Sequence, residues 1–369
     1  MDFDFNETQN LLLNSAKSFL AKEAKDLFRE VEKTDEGYSA EIWQKMAELG
    51  WLGVVFPEKY GGIEGSFLDL VLILEEMGKV LFPGPFIPTV ISGLAILDHG
   101  TGSQKNDLLP KLIEGKLLLS PAHIKPNPAI AEMKLEDEVG VEGGDFTLSG
   151  TRLFVPFGHV TDMFIYGADM EKGTTLFLVD AKNSGITPVA LDSIGADKPC
   201  EVKLEGVKVQ EGDILGTMGK GDEVVNKMEE RGALAESAFM LGMLEQVLKL
   251  SVEYAKEREQ FERKIGSFQA IQHQCANMAT DVDQVKFLTY EAAWKLSQNL
   301  PAKKEISMAK AWASDASRRV SLLGVKIHGG TGVSEEHDMQ LYFRRAKACE
   351  VAYGDGDFHR EIVAQELGL

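Results

Sequence analysis

The chain is short of cysteine, of basic charge and of long apolar runs, and each shortage removes a class of protein. Its three cysteines, Cys200, Cys275 and Cys349, have spacings that suit neither a disulfide framework nor a metal site. They fit a reducing compartment, so a cytoplasmic location and no metal are expected. Lysine and arginine total 39 against 58 aspartates and glutamates, a net charge of −19. A field of that sign repels nucleic acid and anionic membrane surfaces, and neither is expected as a partner. A polyanionic ligand would have to meet locally placed Arg, Lys or helix N-termini. No stretch reaches the about 18 consecutive apolar residues of a membrane span, so no membrane insertion is expected. The start, MDFDFNETQNLLLNSAKSFL, is acidic and lacks the features of a signal peptide.

What is present divides into three blocks. Across 1–115 the spacing is helical: Leu11, Leu12, Ala16, Phe19 and Leu20 recur at three and four, as do Ile42, Met46 and Leu49. Gly50 ends that second helix, Pro57 and Gly61-Gly62 mark a loop, and a helix from Phe67 to Lys79 is stopped by Pro83, Pro85 and Pro88. Across 116–221 short apolar runs, among them Phe146–Leu148, Leu153–Val155, Met163–Tyr166, Thr174–Val179, Val202–Leu204 and Val207–Val209, alternate with turn residues. They predict short antiparallel strands in a small barrel or sandwich. From 222 to 369 the pattern is helical again and predicts a four-helix bundle. The fold class is α+β and multi-domain.

The chain is organised around YAKEREQFERKIGSFQAIQHQCANMA, Tyr254 to Ala279. One helical stripe (Leu234, Ala238, Leu241, Met243, Val247, Leu250, Tyr254) runs into it, and another (Phe268, Ile271, Cys275, Met278, Val282, Val285, Leu288) runs out. Gly266 is expected to break the helix and Ser267 to cap the next, which throws Arg258 and Phe261 to the tip of a helical hairpin. A guanidinium there offers a fork of donors suited to a phosphate or pyrophosphate; periodicity alone favours a solvated, charge-rich tip. This stretch resembles the signature of the acyl-CoA dehydrogenase family through Tyr254, Ala255, Arg258, Gln260, Phe261, Phe268, Gln269 and Gln272. Glu262 departs, standing where the family usually has Gly. The order of the three blocks also resembles the family's architecture.

The resemblance implies an FAD-dependent α,β-desaturation of an acyl-CoA thioester, with an electron-transfer flavoprotein as the usual oxidant. It makes Arg258, Phe261, Gln269, Lys326, Gly329, Gly330 and Phe154 candidate cofactor contacts. Ile327-His328-Gly329-Gly330-Thr331-Gly332 matches the segment that reaches across a subunit interface to a neighbour's FAD; a Gln usually stands at Lys326. Three glycines in four positions exceed what a helix C-cap needs and allow close backbone approach. His328 reads as a packing or hydrogen-bonding residue.

Two other family sites are altered. Where members carry Glu-Gly-Thr, whose Glu removes the substrate α-proton as the β-hydride leaves to the flavin, this chain has Tyr353-Gly354-Asp355. A phenol with reference pKa of ~10 would need a depression of about 3 units to serve as the resting base. Tyr353 and Asp355 are the catalytic candidates, with Glu350 and Asp357 close by. The position some members use instead falls at Gly232, where Glu229, Glu230 and Glu236 read as solvated-face residues. The family's flavin-edge segments, Leu-Thr-Glu-Pro and Trp-Ile-Thr, match His123-Ile124-Lys125-Pro126 and Phe154-Val155-Pro156. Ile124 and Pro156 lack the hydroxyls, and Pro156 lacks a backbone donor.

Residues that would touch a neighbour's FAD are thus largely kept, while those that would hold this chain's own flavin ring and abstract the proton are largely changed. The expectation is one of two unlike subunits in an α2β2 acyl-CoA dehydrogenase assembly, the second acyl-CoA dehydrogenase-like subunit supplying the base. A homotetrameric, self-sufficient flavoenzyme with different chemistry and a non-catalytic scaffold subunit remain open.

Overall fold

A computed structural model describes residues 5–24, 26–123, 137–142, 144–195 and 197–369. The chain forms two units: 1–28, 66–82 and 233–369 make the first, and 29–65 and 83–232 the second. Helical regions flank a middle region of sheets, as the sequence predicts. Among the described residues no helix is long and apolar enough to cross a membrane.

In chain order the helices are α1 (Glu7–Glu23), α2 (Leu27–Val31), α3 (Ala40–Glu48), α4 (Phe67–Lys79), α5 (Phe86–His99), α6 (Gly102–Ile113), α7 (Gly221–Glu257), α8 (Gln269–Ser297), α9 (Lys303–His328), α10 (Met339–Val351) and α11 (Gly356–Glu366). Short polar side chains start several of them. Asn6 with Gln9, Ser66 with Asp69 and Thr101 with Gln104 each form a reciprocal capping box at α1, α4 and α6. Gly50 follows α3 in the left-handed region at φ 78°, as its role as a stop requires. Pro85 and Pro88 do more than end α4. They open α5, with Pro85 at its N-cap and Pro88 in its first turn, where a missing N–H costs nothing.

In the first unit α4 crosses α7 at a pair of glycines. A Cβ on Gly78 would lie 2.0 Å from the Phe239 carbonyl oxygen, and one on Gly242 would lie 1.8 Å from that of Glu75. The Glu75-Glu76-Met77-Gly78 stretch at the end of α4 is therefore a packing device. Beside the crossing, Lys79 reaches Glu75 at 3.2 Å, Glu76 at 2.6 Å and Glu245 at 2.9 Å. Tyr290 on α8 donates to Glu75 at 2.5 Å. Burial and the nearby Glu245 carboxylate raise the Glu75 pKa, against the pull of Lys79.

The second unit holds two four-stranded sheets: β1 (Leu119–Ala122), β4 (Met163–Met170), β5 (Gly173–Asp180) and β8 (Ile214–Leu215) in the order β1-β4-β5-β8, and β2 (Glu138–Glu142), β3 (Asp145–Pro156), β7 (Pro199–Gln210) and β6 (Ile186–Ala190) in the order β2-β3-β7-β6. All described pairings here are antiparallel except β1 with β4. Phe146, Leu148 and Val155 from β3 and Val202, Leu204, Val207 and Val209 from β7 share one core with Phe164, Tyr166, Phe177 and Val179. The expected pairs of short strands at 146–155 and 202–209 are in fact two single long ones. Register shifts at Leu148/Gly150 and Arg152/Val155 bend β3 without ending it, which a break in the apolar pattern mimics.

Candidate functional site

In the first unit α7 ends at Glu257, nine residues before Gly266, so that glycine is not the helix breaker. A two-residue hairpin follows, β9 (Glu259–Gln260) against β10 (Arg263–Lys264). Its turn residues Phe261 and Glu262 both sit in the left-handed region, at φ 53° and 64°. That explains the family's glycine at the second position, since an L side chain is strained there by about 1 kcal/mol. Ser267 does not cap α8. Its hydroxyl donates to the Lys264 carbonyl at 2.7 Å, and Phe268 takes the N-cap place with no side-chain bond. Gly266 serves close approach instead, since a Cβ there would lie 2.8 Å from the Ala255 carbonyl oxygen.

Phe261 is at the hairpin tip, 86% exposed, its ring edge-on to Phe268 at 6.1 Å. Arg258 is at the base of the hairpin rather than its tip. Its guanidinium is exposed and makes no ion pair among the described residues. Gln269 opens α8 and is exposed. Gln272 donates to the Gly266 carbonyl at 3.0 Å and stiffens the turn.

The glycine turn is tied to this stretch through an aromatic contact. His328, the last residue of α9, stacks on Tyr254 with ring centroids 4.4 Å apart. Its Nδ1 lies 2.8 Å from the Gly324 carbonyl, which accepts the proton there, so His328 is a packing residue as expected. Burial, with His337 nearby, lowers its pKa despite that bond. Gly329 adopts φ 61° and ψ −138°, a conformation open essentially to glycine alone. A Cβ at Gly329 or Gly330 would meet nothing within 4 Å, so neither glycine serves packing among the described residues. Lys326 is exposed and makes no ion pair among the described residues. Two free cations and an open glycine turn are thus joined through the Tyr254–His328 stack.

The candidate catalytic turn is built differently. Tyr353 is left-handed at φ 54° and Gly354 at φ 93°. Asp355 is the N-cap of α11, its carboxylate accepting from the Phe358 N–H at 2.9 Å. The imidazole of His359 holds the Tyr353 carbonyl at 2.8 Å. The neighbouring acids are engaged: Glu350 with Lys347 at 2.6 Å, Asp357 with Arg360 at 2.7 Å. This turn offers a rigid backbone but no carboxylate free of a structural task.

Two of the three glutamates near Gly232 are not solvated-face residues. Glu229, in the second unit, bonds His123 Nε2 at 2.9 Å. Glu236, in the first, is only 6% exposed. Lys310, whose charge alone would place it at the surface, is wholly buried. The sequence carries a signal for each: Glu236 is the sole charge in GALAESAFMLGML, and Lys310 falls in the register of the apolar Ile306, Ala313 and Val320.

In the second unit Phe154 is 47% exposed in the left-handed region at φ 58°, at the bulge of β3. Its face is open to a ring. Pro156 offers only its carbonyl, which accepts from Ser120 Oγ at 2.6 Å. Ile124, Lys125 and Pro126 lie outside the described residues. A flavin edge finds fewer donors here than in the pattern the segment resembles.

Two family models match the chain, the acyl-CoA dehydrogenase N-terminal domain over residues 6–116 and its C-terminal domain over 219–368. The acyl-CoA dehydrogenase FadE27 of Mycobacterium tuberculosis is 30% identical over 92% of this chain and 91% of its own length. The chain belongs to the acyl-CoA dehydrogenase family. A 3-(aryl)acrylate reductase of Clostridium sporogenes is similar at 32% identity over 98% of this chain and 99% of its own. The solved ChsE4–ChsE5 complex from Mycobacterium tuberculosis has a chain that superposes with a TM-score of 0.91 at 29% identity, covering 100% of this chain and 99% of that one. The protein is thus an oxidoreductase of this family, and its fold is the family's.

Proposed function

We infer that this chain is one of two unlike subunits of an FAD-dependent acyl-CoA dehydrogenase, organised as α2β2 and acting on an acyl-CoA thioester. Its domains would be 1–115, 116–221 and 222–369. One observation carries the reading: Arg258 and Lys326 stand exposed and unpaired with an open Gly329-Gly330 turn, while Asp355 is spent capping α11. Exposed cations and a bare backbone are what a dinucleotide pyrophosphate held mostly by another chain requires. The residues present fit that end of FAD and fit its ring poorly, since Pro156 has no N–H. When bound, the flavin supplies the acceptor for the β-hydride. This chain's part is to bind and orient: Arg258 and Lys326 neutralise phosphate, the glycine turn admits it, and Phe261 and Gln269 line the approach. The α-proton goes to a base on the partner, and an electron-transfer flavoprotein is the proposed oxidant. The similarity to a ChsE4–ChsE5 complex supports an unlike partner.

The test is flavin retention after gel filtration of the chain co-expressed with its partner. Arg258→Ala should lose at least about 1.4 kcal/mol of FAD affinity, a tenfold rise in Kd, with folding unaffected. Unchanged retention contradicts the assignment of Arg258.

A further inference from the structure

The side chain of Lys310 on α9 is wholly buried, with Nζ 2.9 Å from Ser314 Oγ, 3.0 Å from the Glu350 carbonyl oxygen and 2.7 Å from the Gly354 carbonyl oxygen. An ammonium has three N–H donors and no acceptor, so three acceptors match its charged form one for one. The Ser314 hydroxyl donates its own proton to the Glu350 carbonyl at 3.1 Å, which leaves its lone pairs for the lysine. The Gly354 carbonyl belongs to the Tyr353–Asp355 turn. We propose that Lys310 is the positioning residue of that turn, a clamp that is closed while its ammonium is charged and slackens when the proton leaves. A neutral amine keeps two N–H bonds and turns a lone pair toward the third acceptor. Ser314 can rotate to donate to that lone pair, giving up the Glu350 carbonyl, and the two remaining N–H groups then serve the two carbonyls as neutral donors, so deprotonation strips the Gly354 bond of its charge assistance and weakens it. The proposal rests on reading this turn as facing the shared acyl-CoA site.

The turn is otherwise fixed at its two other residues, Tyr353 by His359 through its carbonyl and Asp355 by its cap on α11. Among the described residues, Lys310 is the side chain that hydrogen-bonds the residue between them. The charged and titratable groups that face it are Glu236 from α7, Cys349 and Glu350 from α10, and Asp355 from the turn; His359 from α11 faces the turn itself. Burial drives the Lys310 pKa down and the acidic neighbours pull it partly back, leaving it at about 8. The clamp therefore works inside an accessible pH range.

Amide hydrogen exchange of the full chain, followed by mass spectrometry from pH 6.5 to 9.5 in peptides covering 350–358, reads the clamp directly. Rates are divided by those of the same peptides in the unfolded chain, which removes the intrinsic pH dependence. The wild type should lose roughly fivefold protection through a single step, about 1 kcal/mol, the difference between a charge-assisted and a neutral hydrogen bond. Lys310→Met should show the unprotected level at every pH, and Lys310→Arg, which does not titrate in this range, should show no step. If Lys310→Met fails to fold, Ser314→Ala decides: removing one acceptor should move the step to lower pH. A wild type without a step, a step that persists in Lys310→Met or Lys310→Arg, or an unmoved step in Ser314→Ala overturns the proposal. No flavin or partner is needed for this readout, so a failure of the two-subunit reading leaves the result standing and is separately visible.

Discussion

Gly242→Ala is the perturbation that most sharply tests how α4 and α7 are held together. Helix propensity alone says the alanine should help, by about 1 kcal/mol in an open helix. The structure says otherwise, because the new Cβ would lie 1.8 Å from the Glu75 carbonyl oxygen and real contacts of this kind do not fall below 3.0 Å. The two backbones must part, and Lys79 on α4 would be drawn from Glu245 on α7, now 2.9 Å away. Overpacking costs about 1–3 kcal/mol, and weakening a part-buried charged hydrogen bond about 1.5–3. Set against the helix gain, the net loss is about 3 kcal/mol, or roughly 4 °C in Tm for a chain of this size. Thermal unfolding followed by circular dichroism measures it, with Gly102→Ala as the control. A Cβ at Gly102 meets nothing within 4 Å, so that variant should stay within about 0.5 kcal/mol of wild type. A Gly242→Ala protein that melts at or above the wild-type temperature refutes the packing argument.

Glu262→Gly should stabilise the chain by about 0.5–1 kcal/mol in urea denaturation, because Glu262 is held at φ 64° where glycine is unstrained. Asp355→Ala should cost about 1 kcal/mol by uncapping α11, while Asp355→Asn keeps the cap and should keep both Tm and turnover of the assembled enzyme. Loss of turnover in Asp355→Asn alone would make that carboxylate the base. For Lys310 the folded pKa, about 8, lies below the unfolded value of about 10.4, so the unfolded chain binds more protons between them. Its contribution to stability is lowest below pH 8 and grows as pH rises toward 10.4. The wild type should therefore gain roughly 2 kcal/mol on Lys310→Met between pH 8 and 9.5 in paired urea titrations. Loss of protection at the turn and gain of global stability over one pH range is a signature a purely structural lysine would not give.

The helical parts were legible because a helix writes its buried face into spacing. The helix read from Phe67 to Lys79 is α4, and the stripes entering and leaving Tyr254–Ala279 lie on α7 and α8. Turns were less legible, because their geometry answers to what lies across from them. Ser267 and Gly266 carry the composition of a cap and a break, yet a left-handed Phe261-Glu262 pair makes the reversal and the carbonyls of Lys264 and Ala255 claim the other two. A bulge and a strand end look alike in an apolar pattern, which hid the continuity of β3. In the candidate site, residue types point to Arg258, Lys326 and the glycine turn, which the structure leaves exposed. They did not give Asp355 as a cap, nor Lys310 and Glu236 as buried charges, because a charge is read as solvated until its partners are seen.

The central claim is that the flavin site is divided between unlike chains. The FAD content of the purified two-chain assembly, from its visible absorbance and its native mass, tests it most directly. The account predicts one flavin for each pair of unlike chains and a colourless protein when this chain is made alone. One flavin on every chain, or a yellow assembly of this chain with itself, would contradict it.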